Sequence, residues 1–332
     1  MDRQKNQLRQ LQHEAKQLNS ILARKRSQLR VSWAITRSFW VIEYQHDPTP
    51  RLQPIGGATI DSVKWPLFSP SSVFWRVNRE LASGMAGPRA VLMQIAHPLV
   101  AAGVADHSRF REARFARLYR TAMAAAAITF CSEDLARRAI QSINSRHQKV
   151  HGVLRKPAGI FPAGTPYDAN DPDLKIWVLN TITDSTLVVY DLFIKPLSKT
   201  EREQYYRESL VAMDLFNVPE NIVPPTYGDF RGYMDRMLQS DVITVSDTAR
   251  EIARALFSPS ISGTALYAGS SIGIGLLPER MQREFGLRWS PRRDKWLHRT
   301  VRLHRTVRRH IPSIFCISPI AAMAEWLTAA KR

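Results

Sequence analysis

Apolar and polar positions alternate along most of the chain with the period of an α-helix. The clearest case runs from Ser132 to Gly152, where apolar side chains recur every four residues and the last member of the stripe is a histidine. The stripe consists of Leu135, Ala139, Ile143 and His147. Ser132 is the predicted N-cap and Gly152 the predicted left-handed stop. The pattern therefore predicts one helix whose core-facing side ends in His147.

The same periodicity predicts helices over nearly all of the chain from Ser72 onward. Pro98 is expected to end or kink the helix before it, because proline lacks the backbone N–H that a helix interior needs. Further predicted helices are Arg114 to Phe130, one capped by Asp171 or Asp173, one with a capping box at Ser198 and Glu201, and a basic one from Pro291 to Arg309. The predicted fold class is therefore all-α, with one helical domain over residues 72–332.

Residues 1–71 have a different character. Residues 1–30 carry leucines on a heptad-like seam among many lysines and arginines, which predicts a basic amphipathic helix outside the main domain. Two interpretations remain open for it, a solvated or partner-bound helix and peripheral contact with a membrane surface. Residues 31–71 contain a run of prolines and glycines and are predicted to form a lead-in arm.

Composition narrows the function classes. The 332 residues carry 47 Lys and Arg against 29 Asp and Glu, a net charge of +18 that favours an anionic membrane, nucleic acid or an acidic partner. Nucleic acid is not favoured, because no recognised nucleic-acid-binding motif accompanies the basic and aromatic residues. The two cysteines, Cys131 and Cys316, form no zinc or disulfide pattern. We find no secretory signal and no long apolar segment, so the expected location is cytoplasmic, at most peripheral to a membrane.

Two groups of side chains are candidates for chemistry. A buried imidazole at His147 needs a backbone carbonyl, a carboxylate or a metal as partner, and a satisfied core histidine is the commoner case. His147 and His151 are four residues apart, a spacing that can clamp a metal on a helix, although no third ligand is evident. Arg117 and Thr121 lie one turn apart and point to one spot, but such pairs also occur on surfaces. Motifs for nucleotide binding and serine hydrolysis are absent from the sequence.

A resemblance to a known family goes further than these patterns. Six segments occur in the order and spacing of the MpaB and rubber-oxygenase (latex-clearing protein) catalytic-domain family, which the chain resembles over about residues 70–325. They are GPRAVLMQIAHPLVAAGVADHSRFR, RLYRT, HQKVHG, PYDANDPDLKIWVLNTITDS, PLSKTEREQYY and LLPERMQREFGLRWSPRR. Residues 1–69 have no counterpart in the resemblance.

The resemblance implies a globin-like helical core around haem b, and in the rubber oxygenases an O₂-dependent cleavage of isoprenoid double bonds. It also implies an apolar, unsaturated substrate. By motif position it implies that His147 is the axial iron ligand, with His151 as the second choice. Arg117 and Thr121 are implied as catalytic and cofactor-binding residues, and His97 and His107 match family positions near the cofactor.

One position departs from the family. Many relatives have a histidine where this chain has Asn180, and an asparagine can hydrogen-bond but cannot replace an imidazole in metal binding or proton transfer. The polar helix face that contains Asn180 also carries Asp184, a candidate acceptor for a hydrogen bond from a ligand residue. The alternative function is therefore a non-catalytic haem-binding or membrane-surface-associated helical protein.

Overall fold

The computed structural model describes residues 67–108, 114–257, 264–287 and 289–329, and for 114–119, 264–269 and 329 it describes the backbone alone. The predicted amphipathic helix over residues 1–30 and most of the lead-in arm lie outside the described residues. The proposed division into three segments therefore stays a prediction.

The described chain is all-α, as predicted. Its strands form one antiparallel hairpin, in which His151 pairs with Asp168 and Val153 with Pro166. In chain order the elements are α1 (Val73–Asn78), α2 (Ala86–Ile95), α3 (Pro98–His107), α4 (Arg114–Phe130), α5 (Glu133–His147), β1 (His151–Val153), β2 (Pro166–Asp168), α6 (Pro172–Phe193), α7 (Lys199–Leu215), α8 (Tyr227–Gln239), α9 (Asp247–Phe257), α10 (Thr264–Gly275), α11 (Glu279–Glu284), α12 (Pro291–His310) and α13 (Pro319–Ala329). Short 3₁₀ segments occur at Leu81–Met85, Glu220–Ile222 and Ser313–Phe315.

Helix starts follow the local signals in the sequence. Asp171 caps α6 by accepting a hydrogen bond from the backbone N–H of Asp173, and Pro172 occupies the first turn. At α7 the Ser198 hydroxyl accepts from the N–H of Glu201, and the Glu201 carboxylate accepts from the N–H of Ser198. The predicted capping box is therefore confirmed.

Helix α6 is the central element of the domain. It packs along α2, and side chains of both helices belong to the main hydrophobic core, among them Leu92, Met93 and Trp177. Helix α10 also packs on α2, at close range. A methyl group placed on Gly273 of α10 would lie 2.7 Å from Cβ of Pro88 and 2.9 Å from the backbone nitrogen of Arg89. The glycine therefore permits an approach that a larger residue would prevent.

The predicted helix from Ser132 to Gly152 is shorter in the structure. Ser132 is at the N-cap position, but its side chain forms no capping hydrogen bond. The helix ends at His147, and Gly152 lies in β1 without a left-handed backbone, so the prediction of Gly152 as the stop is wrong. The most buried positions of α5 are Ala136 and Ile140, and the predicted stripe lies beside them, half-buried. Strand pairing with β2 satisfies the backbone after His147, which local helical periodicity cannot foresee.

Candidate functional site

His147 is the last residue of α5, and its ring lies partly inside the protein. The Nδ1 atom is buried and has no hydrogen-bond partner among the described residues. An unpartnered buried polar atom of this kind costs about 1–3 kcal/mol, because it gives up water and receives no partner in exchange. The sequence leaves three kinds of partner open for this imidazole: a backbone carbonyl, a carboxylate or a metal. Among the described residues, neither a carbonyl nor a carboxylate forms a hydrogen bond with Nδ1. This nitrogen is therefore a candidate ligand atom.

The surroundings of His147 favour its neutral form. Burial lowers the pKa of His147, the positive charge of Lys175 lowers it further, and the negative charge of Asp168 opposes them. Lys175 lies in the first turn of α6, and Asp168 ends β2, so the end of α5 meets both elements. A neutral imidazole keeps the lone pair that a metal ion requires.

His151 does not continue the helix. Val150 donates its backbone N–H to the carbonyl of His147 in a turn, and the chain then enters β1, where the side chain of His151 is exposed. The expectation that His147 and His151 lie one helical turn apart is therefore wrong. Their four-residue spacing does not place both rings on one helix face.

His107, at the end of α3, contacts the hairpin. Its Nε2 lies 3.1 Å from the carbonyl oxygen of His151, which can only accept, so Nε2 carries the proton. The same nitrogen is 3.3 Å from the hydroxyl oxygen of Tyr167, whose own proton is donated to Asp106 at 2.7 Å. Burial and the bond to Asp106 raise the pKa of Tyr167 to about 12. These contacts join α3 to the hairpin, and the predicted cofactor contact of His107 stays a prediction.

His97 is the N-cap residue of α3 and is only 5% exposed. Its Nδ1 accepts a hydrogen bond from the backbone N–H of Leu99 at 3.3 Å, and its ring packs 5.4 Å from that of Phe161. Burial lowers the pKa of His97 to about 4. Because Nδ1 is engaged by the cap, a contact of His97 with a cofactor would have to use Nε2.

The low pKa of His97 predicts a loss of stability in acid. In the unfolded chain His97 binds a proton near pH 6.5, whereas the folded protein resists protonation until about pH 4, so the stability it confers is present above pH 6.5 and is lost as the pH falls. We expect this residue to account for a decrease of about 2 kcal/mol between pH 7 and pH 5. His97→Asn keeps a capping acceptor but does not titrate. Urea unfolding at both pH values should show a smaller decrease for the variant, and equal decreases would contradict the prediction.

The polar face predicted on α6 is buried in the structure. Its members are Trp177, Asn180, Thr181, Asp184 and Ser185. Asn180 is completely buried, and neither its amide nitrogen nor its amide oxygen has a partner among the described residues. The indole nitrogen of Trp177, almost one turn earlier, is buried and unpartnered as well. Two donor nitrogens and one acceptor oxygen are therefore left unsatisfied on one side of α6.

Asp184 has partners other than the one expected. Its carboxylate accepts a hydrogen bond from Nη1 of the buried Arg89 at 2.7 Å and forms a second ion pair with Arg231. Arg89 also donates to the hydroxyl of Ser185 at 2.8 Å and to the carbonyl of Leu276 at 2.8 Å. Asp184 thus links α2, α6 and α8, and in the described contacts it does not accept from His147.

Sequence reasoning missed Arg89 and Arg231. A signal was present, because a carboxylate on the buried face of a helix requires a cation, and Arg89 is the one charged residue of α2. The sequence offers many arginines, however, and only the packing of α2 and α8 on α6 selects these two.

The predicted pair Arg117 and Thr121 lies in the first half of α4, which packs along α5. The side chain of Arg117 is outside the described part of the structure. The side chain of Thr121 is exposed in the polypeptide. The cofactor and catalytic roles of both residues therefore stay predictions.

Within the described part of the chain, no group of three or more His, Cys, Asp or Glu side chains comes together to hold a metal ion. A haem iron needs fewer protein ligands than such a group supplies, because the porphyrin provides four nitrogens. One neutral histidine with an unpartnered nitrogen, as at His147, meets that need.

The fold and the site together define an all-helical domain in which a partly buried histidine, His147, lies at a helix end beside a short hairpin. Residues 75–306 match the family described as the ER-bound oxygenase mpaB/B′/rubber oxygenase catalytic domain, and the chain belongs to that family. Two similar proteins are described as uncharacterised, one from Mycobacterium bovis and one from Mycobacterium tuberculosis. Each is 25% identical over 239 residues, covering 68% of this chain and 89% of the relative. No solved structure matches the chain significantly.

Proposed function

We propose that this protein is a haem b-dependent oxygenase that cleaves carbon–carbon double bonds in an apolar, isoprenoid-type substrate. Membership in an oxygenase family supports the general reaction class. The observation that carries the haem assignment is the buried Nδ1 of His147, which no described residue satisfies. Iron is the partner that this nitrogen lacks.

His147 would hold the iron as a neutral imidazole. Its lowered pKa, caused chiefly by burial, keeps the ring unprotonated, so a proton does not compete with the metal for the lone pair. The position at the end of α5 supports this role, because the backbone there is anchored by both the helix and the hairpin. A fixed ring orients the bond to iron without further loss of rotational freedom.

Haem b bound there supplies a redox-active iron for O₂-dependent cleavage of an apolar alkene. We propose that Arg117 and Thr121 donate hydrogen bonds to a negatively charged group, which is either a haem propionate or an oxygen-derived anion. Such donors act most strongly where water is excluded. Both come from the first half of α4, and this helix packs along α5, which carries His147.

One observation favours the alternative of a haem protein without turnover. The family resemblance implies a histidine in many members where this chain has Asn180, and the amide of Asn180 can neither bind iron as an imidazole does nor transfer a proton near pH 7. Its buried and unpartnered amide still provides a donor and an acceptor for a small polar molecule. A binding protein would retain the haem and lose only the reaction.

Absorption spectra and oxygen uptake of the full chain test the proposal. We expect protein purified from haem-sufficient cells to show a haem Soret band, and to consume O₂ with squalene but not with its saturated analogue squalane. A Soret band without uptake on any unsaturated isoprenoid would favour the alternative. A colourless protein that does not bind added haem would refute both.

A further inference from the structure

The basic helix α12 is firmly anchored on one side. Leu297 and Val301 are buried in a core cluster with α6 and α10. Nδ1 of His304 lies 3.1 Å from the carbonyl oxygen of Phe193, and Arg308 pairs with the buried Glu80 at 2.9 Å. These contacts set the rotation of the helix, and so decide which side chains face outward.

A stripe of apolar side chains faces outward on α12. Trp296, Leu303 and Val307 are exposed, and Ile311 continues the row just after the helix. Their spacings of seven, four and four residues place them within a narrow strip, because about 3.6 residues complete one turn. The 3₁₀ segment Ser313–Phe315 extends the apolar surface with Ile314 and Phe315, which are 57% and 72% exposed. We call Trp296, Leu303, Val307, Ile311, Ile314 and Phe315 the outer stripe.

Cationic side chains flank the outer stripe. They are Arg292, Lys295, Arg299, Arg302 and Arg309, all exposed. Within the described part of the chain none of these five forms an ion pair. The one acidic residue of α12, Asp294, lies 3.5 Å from Nε2 of His298 and forms no ion pair with any of the five. The surface therefore combines apolar side chains with a row of uncompensated positive charge.

We propose that the outer stripe and its flanking cations dock on an anionic lipid surface. Helices that lie in the interface of a bilayer typically combine Trp and Phe with Arg and Lys. The apolar side chains enter the lipid layer, and the cations contact lipid phosphates. If a second copy of the chain bound here through the same surface, its positive charges would face those of the first copy, and the two would repel each other. Nucleic acid would match the cations but leave the apolar stripe in water. None of the described helices is both long and apolar enough to cross a bilayer.

Vesicle sedimentation with the full chain tests this surface. We expect the protein to sediment with vesicles of phosphatidylcholine containing one third phosphatidylserine, and binding to weaken as salt is raised. Leu303→Ser/Ile314→Ser/Phe315→Ser should reduce the partition coefficient by at least about tenfold. The matched control Val153→Ser/Ile160→Ser/Ile182→Ser removes side chains that are 55%, 57% and 45% exposed elsewhere, and should bind as wild type.

A second variant and its control test how much the cations contribute to vesicle binding. Arg299→Gln/Arg302→Gln should weaken binding by about fivefold for each cation removed. Arg207→Gln/Arg254→Gln, which removes two exposed arginines from other helices, should not. Residues 1–66 are present in every variant, so a difference between each variant and its control arises from the outer stripe or its flanking cations.

Three results would overturn the proposal. The first is a wild-type protein that ignores anionic vesicles, and the second is equal binding by the triple variant and its control. The third is a change of oligomeric state in the triple variant, by analytical ultracentrifugation, with vesicle binding intact, since the outer stripe would then be a subunit interface. None of these measurements depends on haem, so the proposed function is tested separately.

Discussion

His147→Ala is expected to be purified without haem from cells in which the wild type carries it. The substitution removes the proposed iron ligand, and because loss of even an outer hydrogen-bond partner weakens metal binding 10–100-fold, loss of the ligand itself should cost at least about 100-fold. The ratio of Soret to protein absorbance measures the effect. Oxygen uptake should fall to the level of a sample without protein.

Two controls separate an iron ligand from a core histidine. His151→Ala should keep its haem, because His151 is an exposed residue of β1. Without haem, His147→Ala should be as stable as wild type or slightly more stable, since it removes a buried nitrogen that has no partner. Adding imidazole to His147→Gly should restore part of the Soret band. If His147→Ala kept all of its haem and His151→Ala lost it, His151 and not His147 would be the iron ligand.

Asp184→Asn is expected to give the largest loss of stability. The Arg89 and Asp184 side chains are both about 95% buried and 2.7 Å apart, and the substitution leaves the guanidinium of Arg89 without a counter-charge in the core. Removing one partner of a buried ion pair costs about 3–5 kcal/mol. Urea unfolding at pH 7 measures the change, and a loss below about 1 kcal/mol would contradict the argument.

The loss of stability in Asp184→Asn should arise because the broken ion pair is buried, and not merely because one ion pair is lost. Glu279→Gln breaks the exposed pair with Arg283, which lies one turn further along the same helix, and should change stability by less than about 0.5 kcal/mol. Replacing both Arg89 and Asp184 by methionine should cost less than Asp184→Asn alone, because no buried charge is then left unpaired.

The candidate site was only partly predictable from the sequence. The half-buried position of His147 on α5 and the polar face of α6 were both predicted from helical periodicity, although the pattern extended the helix beyond His147 to Gly152. The role of His97 as a helix cap was not predicted. The apolar pattern of the preceding helix continues through His97, and in the structure the next helix begins at Pro98. The partners of Asp184 were missed for another reason. Arg89 and Arg231 are 95 and 47 residues away from it along the chain, and no local pattern connects them.

The sequence by itself determined the helices, most of their caps and the family, because each of these depends on interactions within a few residues or on motifs in order. The tertiary structure alone decided that α5 stops at His147, that Nδ1 of this residue is left without a partner and that Asp184 binds two arginines. It also decided which side of α12 faces outward. Those outcomes depend on hydrogen bonds and packing between segments far apart in the chain, where burial sets the energy of each polar group.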